Sequence, residues 1–299
     1  MDSPNTPLPL APAPDAGPRT KHGWLYSTPA PLLVLGSVVS TQIGAALAKT
    51  LFATVGTAGA VFIRVGLAAL MLLALSRPKL RGLSARHVAL VVLFGLVLGG
   101  MNWSFYAALS RVPLGIAVTV EFIGPLGVAV AHSRRPRDLL WVALAAAGIA
   151  LLSPIGAGGP DPIGVALALL AGACWATYIL VGARVGRAFS DSRGLALAML
   201  VAALALAPGG AAGASRALGA PVLILTGIVV ALTSSALPYS LEMEALRRMP
   251  ARVFGVLMSL EPAVAALAGF LMLHEHLGPR ALAALVLISA ASAGVTAFP

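Results

Sequence analysis

Charge is scarce in this chain: only 10% of its 299 residues are charged, whereas 59% are hydrophobic, and the mean hydropathy is +0.95. So much apolar surface cannot be buried in one water-soluble core. The composition therefore excludes an ordinary soluble globular protein, and we expect the lipid bilayer to be the solvent of most of the chain.

Motifs of enzymes and of ATP-driven pumps are missing from the sequence. No glycine-rich phosphate-binding loop, no catalytic Ser-His-Asp spacing and no ATPase motif occurs. Cys174 is the only cysteine, which excludes a disulfide within the chain. The triplet His274, Glu275, His276 lacks the spacing that puts two histidines on one helical face, so we expect an outer loop there and no zinc. We predict no cofactor and no metal, with a gradient as the energy source.

Apolar runs follow one another from Ala30 onward, each close to the roughly 20 residues that cross a bilayer. Before them, residues 1–29 are Pro-rich and polar and lack the basic start and apolar run of a cleaved signal, which predicts a disordered cytoplasmic tail. The runs predict an all-α integral membrane protein with ten transmembrane helices. The predicted spans are 30–48, 57–76, 88–108, 113–131, 138–155, 162–183, 193–209, 220–240, 251–273 and 278–297.

The net charge of +10 indicates topology and not nucleic-acid binding, because the basic residues fall mainly in alternate loops. With the N-terminus inside, fifteen of the twenty Lys and Arg residues lie on the inner side and Arg64 lies within a span. The four outside are Lys49, Arg111, Arg216 and Arg280. The positive-inside rule therefore predicts that both termini are cytoplasmic in a bacterial inner membrane.

An internal repeat is visible when the chain is shifted by 137 residues. The shift places ALSRVP at 108–113 on ALRRMP at 245–250, and Pro125 on Pro262. Chance similarity between Ala/Leu-rich helices is the alternative, but the inverted charge bias of the two halves favours a true repeat. An odd number of helices per repeat makes the halves cross the membrane in opposite senses. The predicted repeats are 30–155 and 162–297, an inverted 5+5 arrangement.

Three charged residues lie within predicted spans, where a charge costs at least about 2.5 kcal/mol and often marks a pathway. They are Arg64, Glu121 and Glu261. The 137-residue shift sets the two acids three positions apart, on one helical face, so we expect both to approach a central cavity. Glu121 is predicted to bind a substrate ammonium or a proton, Glu261 to couple protonation to helix movement, and Arg64 to balance charge or meet a carboxylate. The alternative for Arg64 is an ion pair with a glutamate that only fixes packing.

Further polar and aromatic residues lie in the same spans and predict a cavity for a small polar solute. The candidates are Gln42, Asn102, Trp103, Tyr106, Trp175, Tyr178, Ser234, Ser235 and Tyr239. Because Trp103 and Tyr106 lie towards span ends, we assign them to the interfacial aromatic belt.

Pro125 and Pro262 are candidate hinges, because proline weakens the local backbone hydrogen bonding of a helix. Gly95 and Gly99 have the spacing of ordinary helix packing. Glu242 and Glu244 are expected to form a solvated ion-pair cluster with Arg247 and Arg248.

Two blocks of sequence, PLGIAVTVEFIGPL and ALPYSLEMEALRRMP, together with GACWATYIL, resemble the EamA-type drug/metabolite transporters, and most closely their bacterial threonine/homoserine exporter branch. The resemblance covers nearly all of residues 31–297. It implies a ten-helix inverted fold and proton-linked efflux of small amino acids. The pattern departs at His274, where the family has glycine, and in the tail. The matching positions are Arg64, Asn102, Glu121, Pro125, Trp175, Tyr178, Tyr239, Glu242, Glu261 and Pro262.

We therefore predict a secondary transporter that exports small amino acids such as threonine and homoserine, with the proton as coupling ion, the bilayer as its surroundings and no nucleic-acid partner. No oligomeric state is predicted. A broader metabolite or aromatic-compound exporter is the alternative within this fold. A non-transporting scaffold is disfavoured by the acids within spans, and an intramembrane enzyme is disfavoured because no histidine lies in the middle of a span.

Overall fold

The computed structural model describes residues 28–78, 83–131, 138–152, 160–189, 193–246, 248–249 and 251–297, so the predicted tail lies almost wholly outside it. Within these ranges every regular element is a helix, which confirms the all-α prediction. The helices are α1 Ala30–Thr50, α2 Phe52–Ser76, α3 Ala85–Leu109, α4 Leu114–Glu121, α5 Ile123–Ala131, α6 Asp138–Leu152, α7 Pro162–Ala188, α8 Arg193–Ser215, α9 Pro221–Ala231, a π-helical turn Leu232–Ala236, α10 Leu237–Leu246, α11 Ala251–Met258, α12 Glu261–Leu273 and α13 Pro279–Ala297.

Five of the described helices are long and apolar enough to cross a membrane: Ala30–Thr50, Phe52–Ser76, Ala85–Leu109, Pro162–Gly182 and Arg193–Ser215. Shorter apolar helices occupy four of the remaining predicted spans, and Asp138–Leu152 occupies the fifth. Large aliphatic side chains such as Leu75 and Val222 point outward, 81% and 73% exposed, as expected of a surface that faces lipid. The chain is therefore a multi-pass membrane protein.

Side-chain caps define the starts of two long helices. The Ser84 hydroxyl accepts a hydrogen bond from the backbone N–H of His87 at the start of α3, and the Asp161 carboxylate accepts one from Ile163 at the start of α7. Arg111 also donates to Asp161 at 2.8 Å. The hydrogen bond from Arg111, followed by that from the Ile163 amide, holds the pKa of the Asp161 carboxyl below its ordinary value.

Glycine allows the closest helix contacts. A Cβ at Gly95 would lie 2.5 Å from the carbonyl oxygen of Ala198, so α3 meets α8 almost backbone to backbone, and Gly99 faces Ala202 one turn further on. The packing role predicted for this glycine pair is confirmed. Elsewhere α2 packs along α8, α3 along α7, α6 along α13, and α1 along α9, the π-helical turn and α10.

Two apolar helices are interrupted in the middle. The fourth predicted span is broken between α4 and α5, just after Glu121, and the ninth between α11 and α12, just before Glu261. The eighth span contains the π-helical turn Leu232–Ala236, which changes the hydrogen-bond register of the backbone there. These irregular segments all lie at the cavity described next.

Candidate functional site

A cavity of about 160 Å³ lies among the irregular segments and is lined by residues from both halves of the chain. Its volume is below the roughly 300–1,000 Å³ of sites that hold drug-sized ligands, so it fits a small solute. The lining residues are Thr41, Gln42, Ala45, Arg64, Met101, Asn102, Phe105, Val118, Glu121, Trp175, Tyr178, Ser234, Pro238, Glu242, Met258 and Glu261.

The structure brings most of the predicted site residues together. Ten candidates remain once Trp103 and Tyr106 are set aside, and eight of them line the cavity: Gln42, Arg64, Asn102, Glu121, Trp175, Tyr178, Ser234 and Glu261. Of the other two, Ser235 does not line it, and Tyr239 belongs to α10, but its side chain lies outside the described residues. The two candidate hinges, Pro125 and Pro262, do not line the cavity, and each follows one of the two helix breaks within a few residues.

Arg64 is the cation of the cavity lining, and none of the described glutamates forms an ion pair with it. Within the part of the chain that the structure describes, its guanidinium donates to the carbonyl oxygen of Ser234 at 3.1 Å and lies 5.4 Å from the ring centroid of Tyr106. The Arg64–Glu ion pair considered from the sequence is therefore not formed there. A cation over an aromatic face is stabilised while its remaining N–H groups stay available.

The sequence assignment of Tyr106 to the interfacial belt is wrong. Tyr106 is fully buried beneath Arg64 and contacts Phe52 and Phe105, whereas Trp103, three residues earlier, is 47% exposed on the outer surface. Positions 103 and 106 lie on one turn of helix but differ by about 60° in direction, so one side chain faces outward and the other faces the interior. Proximity to a span end therefore did not decide where Tyr106 points.

The prediction for Glu242 is also wrong, and that for Glu244 is confirmed only in part, because its ion pair forms but Glu244 is buried, at 9% exposure, and not solvated. Glu244 forms the expected ion pair with Arg248 at 2.7 Å. Glu242 instead lines the cavity and accepts a hydrogen bond of 2.5 Å from the Ser37 hydroxyl of α1. A signal for this was present in the sequence, because Ser234, Pro238 and Glu242 recur at four-residue spacing and share one helical face.

Three carboxylates therefore face one cavity with a single guanidinium among its lining residues. Gln42 donates from Nε2 to Glu261 at 2.9 Å, whereas the Glu121 carboxylate makes no hydrogen bond within the described residues. Glu121 lies within Coulombic range of both Glu261 and Arg64. An excess of acids in a confined site favours binding of cations, of which an ammonium group and a proton are the simplest.

Aromatic rings form one wall of the cavity. The Trp175 ring meets Phe122 edge to face at a centroid distance of 5.1 Å, and Tyr178 stacks on Phe94 at 5.0 Å. These contacts fix the two α7 rings against the neighbouring helices. The wall is therefore preorganised, and it presents little space for a bulky ligand.

Gly124 and Gly172 set the position of Glu121. A Cβ at Gly124 would overlap the carbonyl oxygen of Gly172, and a Cβ at Gly172 would lie 2.6 Å from the carbonyl oxygen of Glu121. The broken segment of α4 and α5 thus rests directly on the α7 backbone. Side chains larger than hydrogen at either position would push Glu121 out of register with the cavity.

We expect Gly124→Ala to reduce transport strongly, because backbone atoms of α7 cannot yield to the added methyl group; overpacking of this kind costs about 1–3 kcal/mol. Gly127→Ala is the matched control, since it lies on the same helix and no atom of the described residues lies within 4 Å of the new Cβ. Transport activity and the unfolding temperature of both variants test this. Equal transport activity and equal unfolding temperatures of the two variants would show that the close contact at Gly124 is not needed for transport or stability.

A bundle of apolar helices around a small, charged, buried cavity is the architecture of a membrane transporter. Residues 162–297 match the model of the EamA-like transporter family. The chain is 48% identical over 268 residues to the threonine/homoserine exporter RhtA of Escherichia coli (strain K12), covering 89% of this chain and 90% of that protein, and 47% identical over the same share to RhtA of Salmonella typhimurium (strain SL1344).

One solved crystal structure of 20% sequence identity superposes with a TM-score of 0.53 and covers 89% of this chain and 94% of that one, a likeness of fold alone. The identity to the exporters over nine-tenths of the chain is decisive for the family. The chain belongs to the EamA-like transporter family.

Proposed function

We propose that this chain exports threonine, homoserine and related small amino acids across the bacterial cytoplasmic membrane in exchange for protons. The observation that carries the proposal is the cavity, which combines three carboxylates and one guanidinium in a volume suited to a small zwitterion. The relatives whose names state threonine and homoserine export support the substrate class.

The helices also support an inverted five-plus-five repeat. The 137-residue shift carries Glu121, the last residue of α4, onto Met258, the last residue of α11, so the two breaks fall at equivalent positions. It carries α3 onto α9–α10 and α7 onto α1, and the packing of α3 on α7 is matched by that of α9–α10 on α1. The range 162–297 matched by the family model has the bounds of the second predicted repeat.

Alternating access around this cavity is the mechanism we assign. The broken helices α4–α5 and α11–α12 carry Glu121 and Glu261, so loss or gain of a proton at either acid changes the charge at an interruption of a helix. Substrate and proton then bind in competition, which linkage requires for antiport. The positive-inside distribution supports cytoplasmic termini.

Counterflow of labelled threonine in proteoliposomes tests the proposal. We expect uptake of label against unlabelled internal threonine, and net efflux from the liposomes that accelerates when the outside is made acidic and loses this acceleration when the pH gradient is collapsed. Homoserine should compete, and a bulky aromatic drug should not. Folded protein that moves neither amino acid, or whose rate ignores the pH gradient, would contradict the proposed substrate or the proposed coupling respectively.

A further inference from the structure

Four buried polar atoms of the cavity residues lack a hydrogen-bond partner among the described residues. They are Oε1 of Gln42, Nε of Arg64, Oγ of Ser234 and Oε2 of Glu261. Buried polar atoms are normally paired, and leaving one unpaired costs about 1–3 kcal/mol. Three of the residues are over nine-tenths buried: Gln42, Ser234 and Glu261. A cluster of unpaired atoms around one cavity indicates a ligand whose groups complete them.

The four atoms fall into two pairs of opposite hydrogen-bonding character. Gln42 and Glu261 are joined by the 2.9 Å bond from Nε2 to Oε1. An ionised carboxylate only accepts, so the amide nitrogen is the atom that faces Glu261, and the two free oxygens, Gln42 Oε1 and Glu261 Oε2, are both acceptors. This pair is the acceptor pole of the cavity.

The other pair supplies donors. Arg64 is tied to the backbone carbonyl of Ser234 at 3.1 Å, so the free Arg64 Nε–H and the free Ser234 hydroxyl belong to neighbouring groups. Ser234 lies in the π-helical turn, and a Cβ at Gly44 of α1 would overlap its hydroxyl. Because position 44 is glycine, the turn can approach α1 closely, with the hydroxyl packed against Gly44 and Ser234 in the cavity lining. This pair is the donor pole.

We propose that the two poles bind the two charged ends of an α-amino acid, the ammonium group at Gln42 and Glu261 and the carboxylate at Arg64 and Ser234. This assignment rests on the proposed function and gives the substrate one orientation. It also leaves Glu121, which lines the cavity and makes no hydrogen bond within the described residues, as the acid that takes up a proton when the substrate leaves the site.

Two analogues of threonine, each with only one of its two charged groups, test binding at the acceptor pole and at the donor pole separately. 1-Amino-2-propanol keeps the ammonium and hydroxyl groups but has no carboxylate, and 3-hydroxybutyrate keeps the carboxylate and hydroxyl but has no ammonium. Binding is measured as protection of the purified full-length protein from thermal unfolding in detergent, a readout that does not require transport. Ser234→Ala and Gln42→Met each remove one group at one pole.

The expected result is a crossed pattern. Ser234→Ala weakens binding of threonine and 3-hydroxybutyrate about tenfold and leaves 1-amino-2-propanol unchanged, whereas Gln42→Met weakens threonine and 1-amino-2-propanol and leaves 3-hydroxybutyrate unchanged. Equal weakening of both analogues by either variant, the reverse pairing, or no binding of either analogue to the wild type would overturn the assignment. Because Ser234→Ala removes only an unpaired hydroxyl, it should fold even if Gln42→Met does not.

Failure of this inference is distinguishable from failure of the proposed function. If the wild type shows threonine counterflow but the two variants do not affect the two analogues in the crossed way, the assignment of the two poles is rejected and the exporter assignment stands. If binding shows the crossed pattern but the wild type transports no threonine, the site for a zwitterion is retained and amino-acid export is rejected.

Discussion

Net export of threonine driven by a pH gradient is expected to fall to the level of protein-free liposomes when Glu121 is replaced by Gln. The side chain lies at the end of α4, where the helix breaks, and lines the cavity without a hydrogen bond within the described residues. An amide of the same shape cannot take up or release a proton. The variant therefore loses the exchange that antiport requires while the packing around it is preserved.

Glu121→Gln should still bind threonine, because the proposed acceptor and donor poles belong to other residues. Protection from thermal unfolding by threonine therefore remains while transport is lost. Asp161→Asn is the matched acid-to-amide control: it lies outside the membrane-spanning helices, and asparagine caps a helix about as well as aspartate. We expect it to transport normally. Gradient-driven export by a folded Glu121→Gln protein at the wild-type rate would falsify the role of this carboxylate.

Helix positions could be predicted well from hydropathy, because each apolar run has to satisfy its backbone hydrogen bonds internally. Every predicted span coincides with a described helix or with a broken helix pair. The ends were less accurate. The seventh predicted span stops at 209, whereas α8 continues to Ser215 through Pro208, because packing along α2 holds the helix beyond a residue that removes only one hydrogen bond.

The direction of side chains within the spans was harder to predict. In a soluble protein, a simple apolar stripe marks the inner face of a helix. In the spans of this protein both charged and apolar residues are buried, so no such stripe marks the inner face. The nearby Arg247 and Arg248 predict that Glu242 belongs to the basic cluster. The helix instead directs its side chain towards α1, where it accepts the hydrogen bond from Ser37. Pro262 in the first turn of α12 marks the second break, whereas neither the π-helical turn nor the break after Glu121 has a signature in the local sequence that would place it to the residue.

Conversely, the charges within spans identified the cavity almost completely. Arg64, Glu121 and Glu261 come from three separate helices, far apart in sequence, and all line it. The physical reason is that a charged side chain within a span is costly when it faces lipid, so it faces a polar interior. What the sequence could not supply is the pairing of groups within the cavity, which depends on distances between helices.

Neutralising Glu275 is expected to open the side of the transporter that the proposed topology places outside the cell. Glu275 follows α12, forms an ion pair of 2.5 Å with Lys49 at the end of α1, and accepts a hydrogen bond of 2.7 Å from the backbone N–H of Leu114 at the start of α4. Lys49 also donates to the carbonyl oxygen of Val112. One carboxylate therefore ties together three segments contributed by both halves of the chain.

The size of the effect follows from the burial of this pair. Lys49 and Glu275 are 22% and 14% exposed, so their interaction lies between that of surface and buried ion pairs, about 1–2 kcal/mol. Removing it in Glu275→Gln shifts the equilibrium towards the outward-open state roughly tenfold, because every 1.4 kcal/mol is a factor of ten. Lys49→Gln should act in the same direction, and the double variant should add little to either.

Accessibility of one introduced cysteine measures the shift. Cys174 is the only native cysteine, so Cys174→Ser gives a background in which Ala45→Cys, in the cavity lining, reports alone. We expect a membrane-impermeant thiol reagent added outside to label this position faster in Glu275→Gln. Asp161→Asn breaks another ion pair, Arg111–Asp161, on the same proposed side. This pair joins the loop after α3 to the N-cap of α7, and these two helices pack along each other anyway, so labelling should not change. Equal labelling rates in all three proteins would mean that Glu275 does not hold the outer side closed.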